Sequence, residues 1–453
     1  MNDWSKAEDR VEKAQELYES GQYRDAAREL RKAIEINPYN ASWHFNLALA
    51  LDAMSAYDQA IAAYHNAWQL EPEDLEALNA LGIDYSRTGK YEKALECFER
   101  LERINPAYEP SYCNRILTYA QMGRHDQADL MFHLARQVKD ECPLCLFNIG
   151  DSLYDRGLYP RAVACWKRVL ELDDEHPQAH ARIAEAYWSM GKLEQARESF
   201  LEELRLEPGD LDTLLDMGQL QTEMGQYDEA SEKFRRVLEQ EPENASAHFG
   251  LGEVAFLRGD FKTAQEQLRL VIRLDRRFPG AHQRLGEVLL RQGQIKQAGI
   301  HLLAELRHTG DDPQATMELG QLLIEAQKIK QANALLARLV ARHPGNPLAQ
   351  HTLAVSYLLM GQLPQGILHC RKALALKFDY PLALYNLAQA YYRLGNRRRG
   401  RHYVAKALRA LPDDADVRTL AARLGVISPA QRLTYRLGRW VRRWRPSALW
   451  RFW

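Results

Sequence analysis

Apolar residues recur along this chain at i, i+3, i+4 and i+7, the spacing that lays one apolar stripe along an α-helix. The stripes are short, and polar turns separate them. Shifting the sequence against itself by 34 residues superimposes the whole pattern. The turn residue then falls at Gly21, Ser55, Gly89, Gly123, Gly157, Gly191, Gly225, Gly259, Gly293, Gln327, Gly361 and Gly395, without insertion or deletion. Each copy reads as a helix, a turn carrying glycine and a second helix, and twelve copies run from Ala7 to Asp414.

Other positions keep a fixed distance from the turn. Seven residues before it stands a small side chain, such as Ala14, Ala48, Gly82, Gly150, Ala184 or Gly286, and five after it an alanine, from Ala26 to Ala332. Nine after it comes a bulky residue: Leu30, Tyr64, Phe98, Phe132, Trp166, Phe200, Phe234 and onward. Small residues at such points let two helices approach closely. Many copies close on proline, as at Pro38, Pro72, Pro106, Pro208, Pro242, Pro344 and Pro412, which stops the helix before it.

This ladder of small, aromatic and proline positions resembles the tetratricopeptide repeat, whose unit has the same 34-residue period. Two copies depart from it: Arg115 takes a normally apolar rung in the fourth, and Arg10 and Lys13 take rungs in the first, which suits an exposed end. The resemblance implies an all-α fold, a right-handed superhelical solenoid of antiparallel helix pairs. In it each copy buries its apolar face only against its neighbours. The expected layout is a lead over 1–6, twelve repeats over 7–414, a capping helix over 415–427 and a separate tail over 429–453.

The resemblance also implies a binding protein whose first helices line a concave groove for partner polypeptides. Related repeats serve too as substrate-presenting partners of glycosyltransferases or peptidases, which keeps that alternative open. The family's clamp for a chaperone's terminal carboxylate has no counterpart, since Val11, Gln15, Asn46, Glu76 and Ala80 occupy its positions. Counting the ninth position of copies five to nine gives Asp151, Glu185, Gln219, Glu253 and Glu287, an acidic stripe along the groove. Phe147, Tyr154, Trp188, Phe249 and Phe256 flank it. Carboxylates beside aromatic rings clasp arginine and lysine through charge-assisted bonds and cation–π contacts, so the expected ligand is a basic, aromatic-containing segment. The plain alternative is a solvated polar face.

Catalytic and metal chemistry find little support. His44, His180, His248 and His282 share the fourth position of their copies and read as packing residues. Cys142 and Cys145 form CPLC, the spacing of half a zinc site or of a redox pair, but no second CxxC follows and the plainer reading is a structural or incidental role. Phosphate-loop, zinc-protease and serine-elbow motifs are missing. The expectation is no enzyme, no cofactor, no metal and no catalytic residue.

Charge changes the picture only at the end of the chain. Lys+Arg number 60 against 61 Asp+Glu, yet residues 429–453 hold seven arginines and no acid. There Leu433, Leu437, Trp440, Val441 and Trp444 make one helical stripe. Arg436, Arg439 and Arg443 stand beside it, the composition of an interfacial helix. The tail, with Arg436, Arg439, Trp440, Arg443 and Trp444 as its docking residues, is expected to cap the stack, to bind a partner or to lie on an anionic membrane surface. A short basic helix is a weak footprint for nucleic acid. The acidic opening without an apolar leader, and six scattered cysteines, predict a cytoplasmic protein, with the tail offering attachment to the inner face of a membrane.

Overall fold

The computed structural model describes residues 3–307 and 312–427, and among them are twenty-five α-helices and no strand. The chain divides after Leu220 into two compact bodies. The first opens with three hairpins: α1 (Asp3–Glu19) with α2 (Tyr23–Ile36), α3 (Ala41–Asp52) with α4 (Tyr57–Leu70), and α5 (Leu75–Arg87) with α6 (Tyr91–Ile104). Three more follow: α7 (Glu109–Gln121) with α8 (His125–Val138), α9 (Pro143–Asp155) with α10 (Tyr159–Leu172), and α11 (Ala179–Ser189) with α12 (Leu193–Leu206). The division falls within α13 (Leu211–Glu223).

The second body begins with α14 (Tyr227–Gln240) and continues with α15 (Ala245–Leu257) paired to α16 (Phe261–Leu274), and α17 (Ala281–Arg291) paired to α18 (Ile295–Glu305). Then come α19 (Pro313–Glu325) with α20 (Ile329–Arg342), α21 (Pro347–Leu359) with α22 (Leu363–Leu376), and α23 (Pro381–Arg393) with α24 (Arg397–Ala410). A final helix, α25 (Ala415–Arg423), packs on α24. From α2 to α11 and from α14 to α25 the second helix of a hairpin also packs on the first helix of the next, so an apolar face that one hairpin leaves open is covered by its neighbour.

The ladder explains the close helix pairing. A Cβ built on Gly82 would stand 2.5 Å from the Phe98 ring, and one on Gly150 only 2.4 Å from Trp166 Nε1. The small residue before the turn is thus the seat of the bulky residue after it, and Tyr64, Phe98, Trp166, Phe200 and Phe234 are all fully buried. Turns between paired helices use the left-handed region, mostly at glycine.

First helices are anchored at their starts. Asn40, Asp74, Asp210, Asn244, Asp312, Asn346 and Asp414 each accept a hydrogen bond from an amide of the first turn. The fourth position ties that turn to the preceding loop. His44 Nε2 donates to the Pro38 carbonyl at 2.9 Å, His248 Nε2 to Pro242 at 3.0 Å and Gln350 Nε2 to Pro344 at 3.0 Å. Tyr112 and Arg418 make the same bond to Pro106 and Pro412. His44 and His248 are therefore loop fasteners.

Two boundaries need adjusting, and one departure from the ladder is explained. Helix α1 starts at Asp3, so most of the segment read as a lead is helical, with the Trp4 ring 6.3 Å from that of Trp43. The closing helix ends at Arg423, four residues earlier than expected, because Gly425 turns left-handed and Val426 N–H bonds back to the Ala421 carbonyl. Arg115, on an apolar rung, is buried but paired, its Nη1 lying 2.5 Å from Glu102 Oε2.

Candidate functional site

All five stripe residues lie on first helices. Asp151 (α9), Glu185 (α11) and Gln219 (α13) belong to the first body, Glu253 (α15) and Glu287 (α17) to the second. Gln219 is exposed and the four acids are half-buried.

The stripe is not purely acidic, because arginines from its own helices enter it. In the second body Arg284 pairs with Glu253 and, at 2.7 Å, with Glu287 Oε2, while Arg291 reaches Glu287 Oε1 at 3.2 Å. The Arg284 guanidinium also lies 5.1 Å from the Phe256 ring centroid. The clasp expected for a ligand's cation is here filled by the chain itself.

The first body differs. One guanidinium, Arg182, lies 3.0 Å from Glu185 Oε2 and 3.7 Å from Asp151 Oδ1. Asp151 Oδ1 and Arg182 Nε are buried and make no hydrogen bond. Burial pushes Asp151 up to about 6 against the pull of Arg182, and Asp155 and Glu185 add to the rise. Asp216, one turn along α13, is likewise pushed up to about 6 by burial and then by Glu185, Asp212 and Asp210, with Arg182 opposing. Among the described residues Asp151, Glu185 and Asp216 thus share the guanidinium of Arg182, so carboxyl groups outnumber cations in the cluster.

The flanking aromatics pack chiefly within their own bodies. Phe147 stacks on His176 at 4.9 Å, and Tyr154 meets Tyr159 at 5.2 Å while its hydroxyl lies 3.0 Å from Ser189 Oγ. Trp188 stands edge-on to Phe200 at 6.5 Å, Phe249 tilts against Phe278 at 5.1 Å, and Phe256 against Phe261 at 5.9 Å. Each of the five residues is half-buried.

One recess escaped the sequence reading. Val11, Ala14, Gln15, Tyr18, Asn46 and Leu49 line a pocket of about 350 Å³ at the start of the first body. Three of them mattered in the sequence only as residues that exclude a carboxylate clamp. Gln15 occupies the same ninth position as Asp151, and that column held the signal. The tail residues Arg436, Arg439, Trp440, Arg443 and Trp444 lie outside the described residues. Cys142 and Cys145 of the CPLC run are buried, and Cys113 joins them.

Family models described as tetratricopeptide repeat match residues 75–108, 147–210, 215–276, 289–355 and 357–424, and one described as TPR repeat matches 14–55. The chain belongs to the tetratricopeptide repeat family. Its repeats share 27% identity over 145 residues with anaphase-promoting complex subunit 3 of Schizosaccharomyces pombe, covering 32% of this chain and 22% of that one. They share 34% over 102 residues with the BBSome complex member bbs-4 of Caenorhabditis elegans, covering 22% and 21%. A third relative, the Hsp70-Hsp90 organising protein of Plasmodium falciparum, is 30% identical over 95 residues, covering 19% and 17%. The chain therefore spans less than a quarter of the length of each of these curated relatives. Among solved structures it is similar to the APC/C hetero-tetramer Cut9–Hcn1 (14% identity, TM-score 0.43, 91% of this chain and 95% of that one). Yeast Tom70 is also similar (13% identity, TM-score 0.40, 95% and 99%). Asp151, Glu185, Asp216 and Glu253 lie inside the tetratricopeptide matches, whereas the basic tail lies beyond them all.

Proposed function

We propose that this tetratricopeptide repeat protein is a non-catalytic scaffold that holds a basic polypeptide segment on the first-helix face of its first body. The carrying observation is the group of Asp151, Glu185 and Asp216 served by Arg182, with Asp151 Oδ1 buried, 3.7 Å from Arg182 Nε and without a hydrogen bond. An incoming guanidinium or ammonium supplies positive charge and a donor for Asp151 Oδ1, and a charge-assisted bond there contributes about 1.5–3 kcal/mol. The half-buried edges of Phe147, Tyr154 and Trp188 add apolar contact beside it. Because the helical surface is preformed, the ligand bears most of the ordering cost. Names of relatives that are complex members or an organising protein support an assembly role. The six free cysteines support a reducing, cytoplasmic setting.

Binding of Arg- and Lys-containing peptides, followed by fluorescence anisotropy, tests the site. The triple variant Asp151→Asn, Glu185→Gln, Asp216→Asn is expected to weaken binding about 10-fold or more, with unchanged circular dichroism. The pair Glu253→Gln, Glu287→Gln, in which Arg284 already fills the clasp, should stay within about 2-fold. Equal losses in both variants, or none in the first, would reject the assignment. Affinity should also climb from pH 5 to pH 7, since Asp151 and Asp216 lose their protons near pH 6 and only the ionised forms attract the ligand's cation.

A second contact is proposed from the sequence of the tail. Arg436, Arg439 and Arg443 with Trp440 and Trp444 form an Arg-rich amphipathic pattern suited to peripheral attachment at an anionic membrane. Among the described residues no helix is long and apolar enough to cross a membrane.

A further inference from the structure

Three cysteines from two neighbouring first helices meet in the first body, and the proposed partner binding makes no use of them. Cys113 lies on α7, Cys142 caps the start of α9 and Cys145 sits in the first turn of α9. All three are buried, and their sulfurs lie within 4.8 Å of one another. Cys113 Sγ and Cys142 Sγ are 3.4 Å apart, and Cys142 Sγ accepts the backbone N–H of Cys145 at 3.1 Å. Beside them Glu109, the first residue of α7, interacts with Cys142 and forms an ion pair with Lys139, Oε2 to Nζ 3.1 Å.

Repeat packing does not account for this group. A residue required by the fold recurs every 34 positions, and these cysteines do not. The place of Cys113 is taken by Val11, Phe45, Asn79, Phe147 and Met317 in other copies, and that of Cys145 by Ala77, Ser111, Ala179 and Ala247. The position of Cys142 is more telling. Seven other copies place Asp or Asn there to cap the first helix, an oxygen acceptor for which a neutral thiol is a weak substitute. A thiolate is a strong acceptor, and the thiolate is also the form that binds metal.

The geometry suits a tetrahedral soft ion. Zinc–thiolate bonds of about 2.3 Å at tetrahedral angles set sulfurs about 3.8 Å apart, a spacing that lies between the 3.4 Å of the closest pair and the 4.8 Å limit of the cluster. The amino end of α9 adds positive potential for the sulfurs, and Lys139 offsets part of the remaining negative charge. We propose that Cys113, Cys142 and Cys145 form a zinc site that staples α7 to α9, with Glu109, which interacts with Cys142 but lies outside the three-sulfur cluster, turning in as the fourth ligand. Binding displaces the thiol protons to solvent and involves no electron transfer. The site is structural and distinct from the partner-binding cluster, and it adds a metal link to adjacent hairpins that are already joined by the bond from Asn148 Nδ2 to the Cys113 carbonyl, 2.9 Å, and by the Arg156–Asp129 ion pair.

The full chain, purified under reducing conditions without chelators, should carry one zinc by elemental analysis. Replacing it with cobalt(II) should produce thiolate-to-cobalt charge transfer and the visible bands of a tetrahedral centre. Cys113→Ser and Cys145→Ser should abolish both signals, whereas Cys97→Ser and Cys370→Ser should keep them. Cys142→Asp restores the oxygen cap used elsewhere in the chain, so this variant should fold with the wild-type circular dichroism yet lack the cobalt spectrum. Chelation of the wild-type metal should lower Tm and speed amide exchange in α7 and α9, with recovery on re-adding zinc. A reduced, folded chain that takes up neither zinc nor cobalt would overturn the site. So would a Cys113–Cys142 or Cys142–Cys145 disulfide in the chain freshly isolated from cells, shown by mass spectrometry under alkylating conditions.

Discussion

Ser55 and Gln327 hold a left-handed turn, φ 57° and 60°, where ten other copies place glycine. A side chain in that region costs about 1–2 kcal/mol, which glycine does not incur. Gln327→Gly is therefore expected to raise the unfolding free energy by about 1 kcal/mol in a urea titration, and an unchanged or lowered midpoint would contradict this strain. The opposite change is costly at Gly150, where a Cβ would collide with the Trp166 indole. Gly150→Ala should destabilise by about 1–3 kcal/mol through forced repacking. At this scale the sequence was highly legible, because a steric need repeated twelve times leaves the same residue type in the same column. It was least legible where a column is broken once, as with the cysteines, since their meeting depends on which helices become neighbours.

Among the helices, α11 and α17 begin later than their counterparts, at Ala179 and Ala281, and their expected capping positions hold His176 and Phe278. The orphaned amides are satisfied from across the hairpin. Glu203 on α12 accepts from Gln178 N–H and Ala181 N–H, both at 3.0 Å. Glu305 on α18 accepts from Gly280 N–H at 3.1 Å and Gln283 N–H at 3.2 Å. Both glutamates sit in a column otherwise filled by Ala, Leu or Val, and both are buried. Glu203→Ala removes both acceptors and should cost about 1–3 kcal/mol, with amide exchange rising first over residues 178–181. Loss confined to other helices would show that the cap is not what stabilises this start. Helix periodicity alone could place α11 and α17 within a few residues; their late starts follow from a long-range bond that no local pattern encodes.

For the first compact body taken as a whole, stability should respond to pH through its desolvated acids. Asp84, Asp151 and Asp216 in the first body are all raised to about 6. A raised carboxyl group favours the folded state while protonated, so its contribution is complete below about pH 4 and is lost as pH rises through 6. Asp216→Asn removes that loss. Its stability relative to wild type should therefore grow between pH 4 and pH 7, on the order of 1–3 kcal/mol, in thermal melts at matched ionic strength. A pH-independent difference would contradict the buried-acid account. The basic tail makes a separate prediction. The full chain should pellet with anionic but not neutral vesicles and be released by salt, whereas a chain ending at Ser428 should remain in solution. Pelleting of the shortened chain would place the membrane contact elsewhere.

The sequence by itself determined the helical class, the 34-residue period, the glycine turns and the small-to-large ladder, because these answer local requirements of backbone conformation and packing that recur in every copy. It also located the acidic column, since a fixed period assigns each residue to a face. Tertiary structure decided which of those acids are neutralised. Arg284 closes the cluster in the second body, while in the first Asp151, Glu185 and Asp216 share Arg182. It decided, too, that Cys113 meets the CPLC pair and that Glu203 caps α11. These contacts join groups between 22 and 32 residues apart in sequence, and their energies depend on distance, burial and the remaining charges nearby, quantities that exist only once the helices have packed.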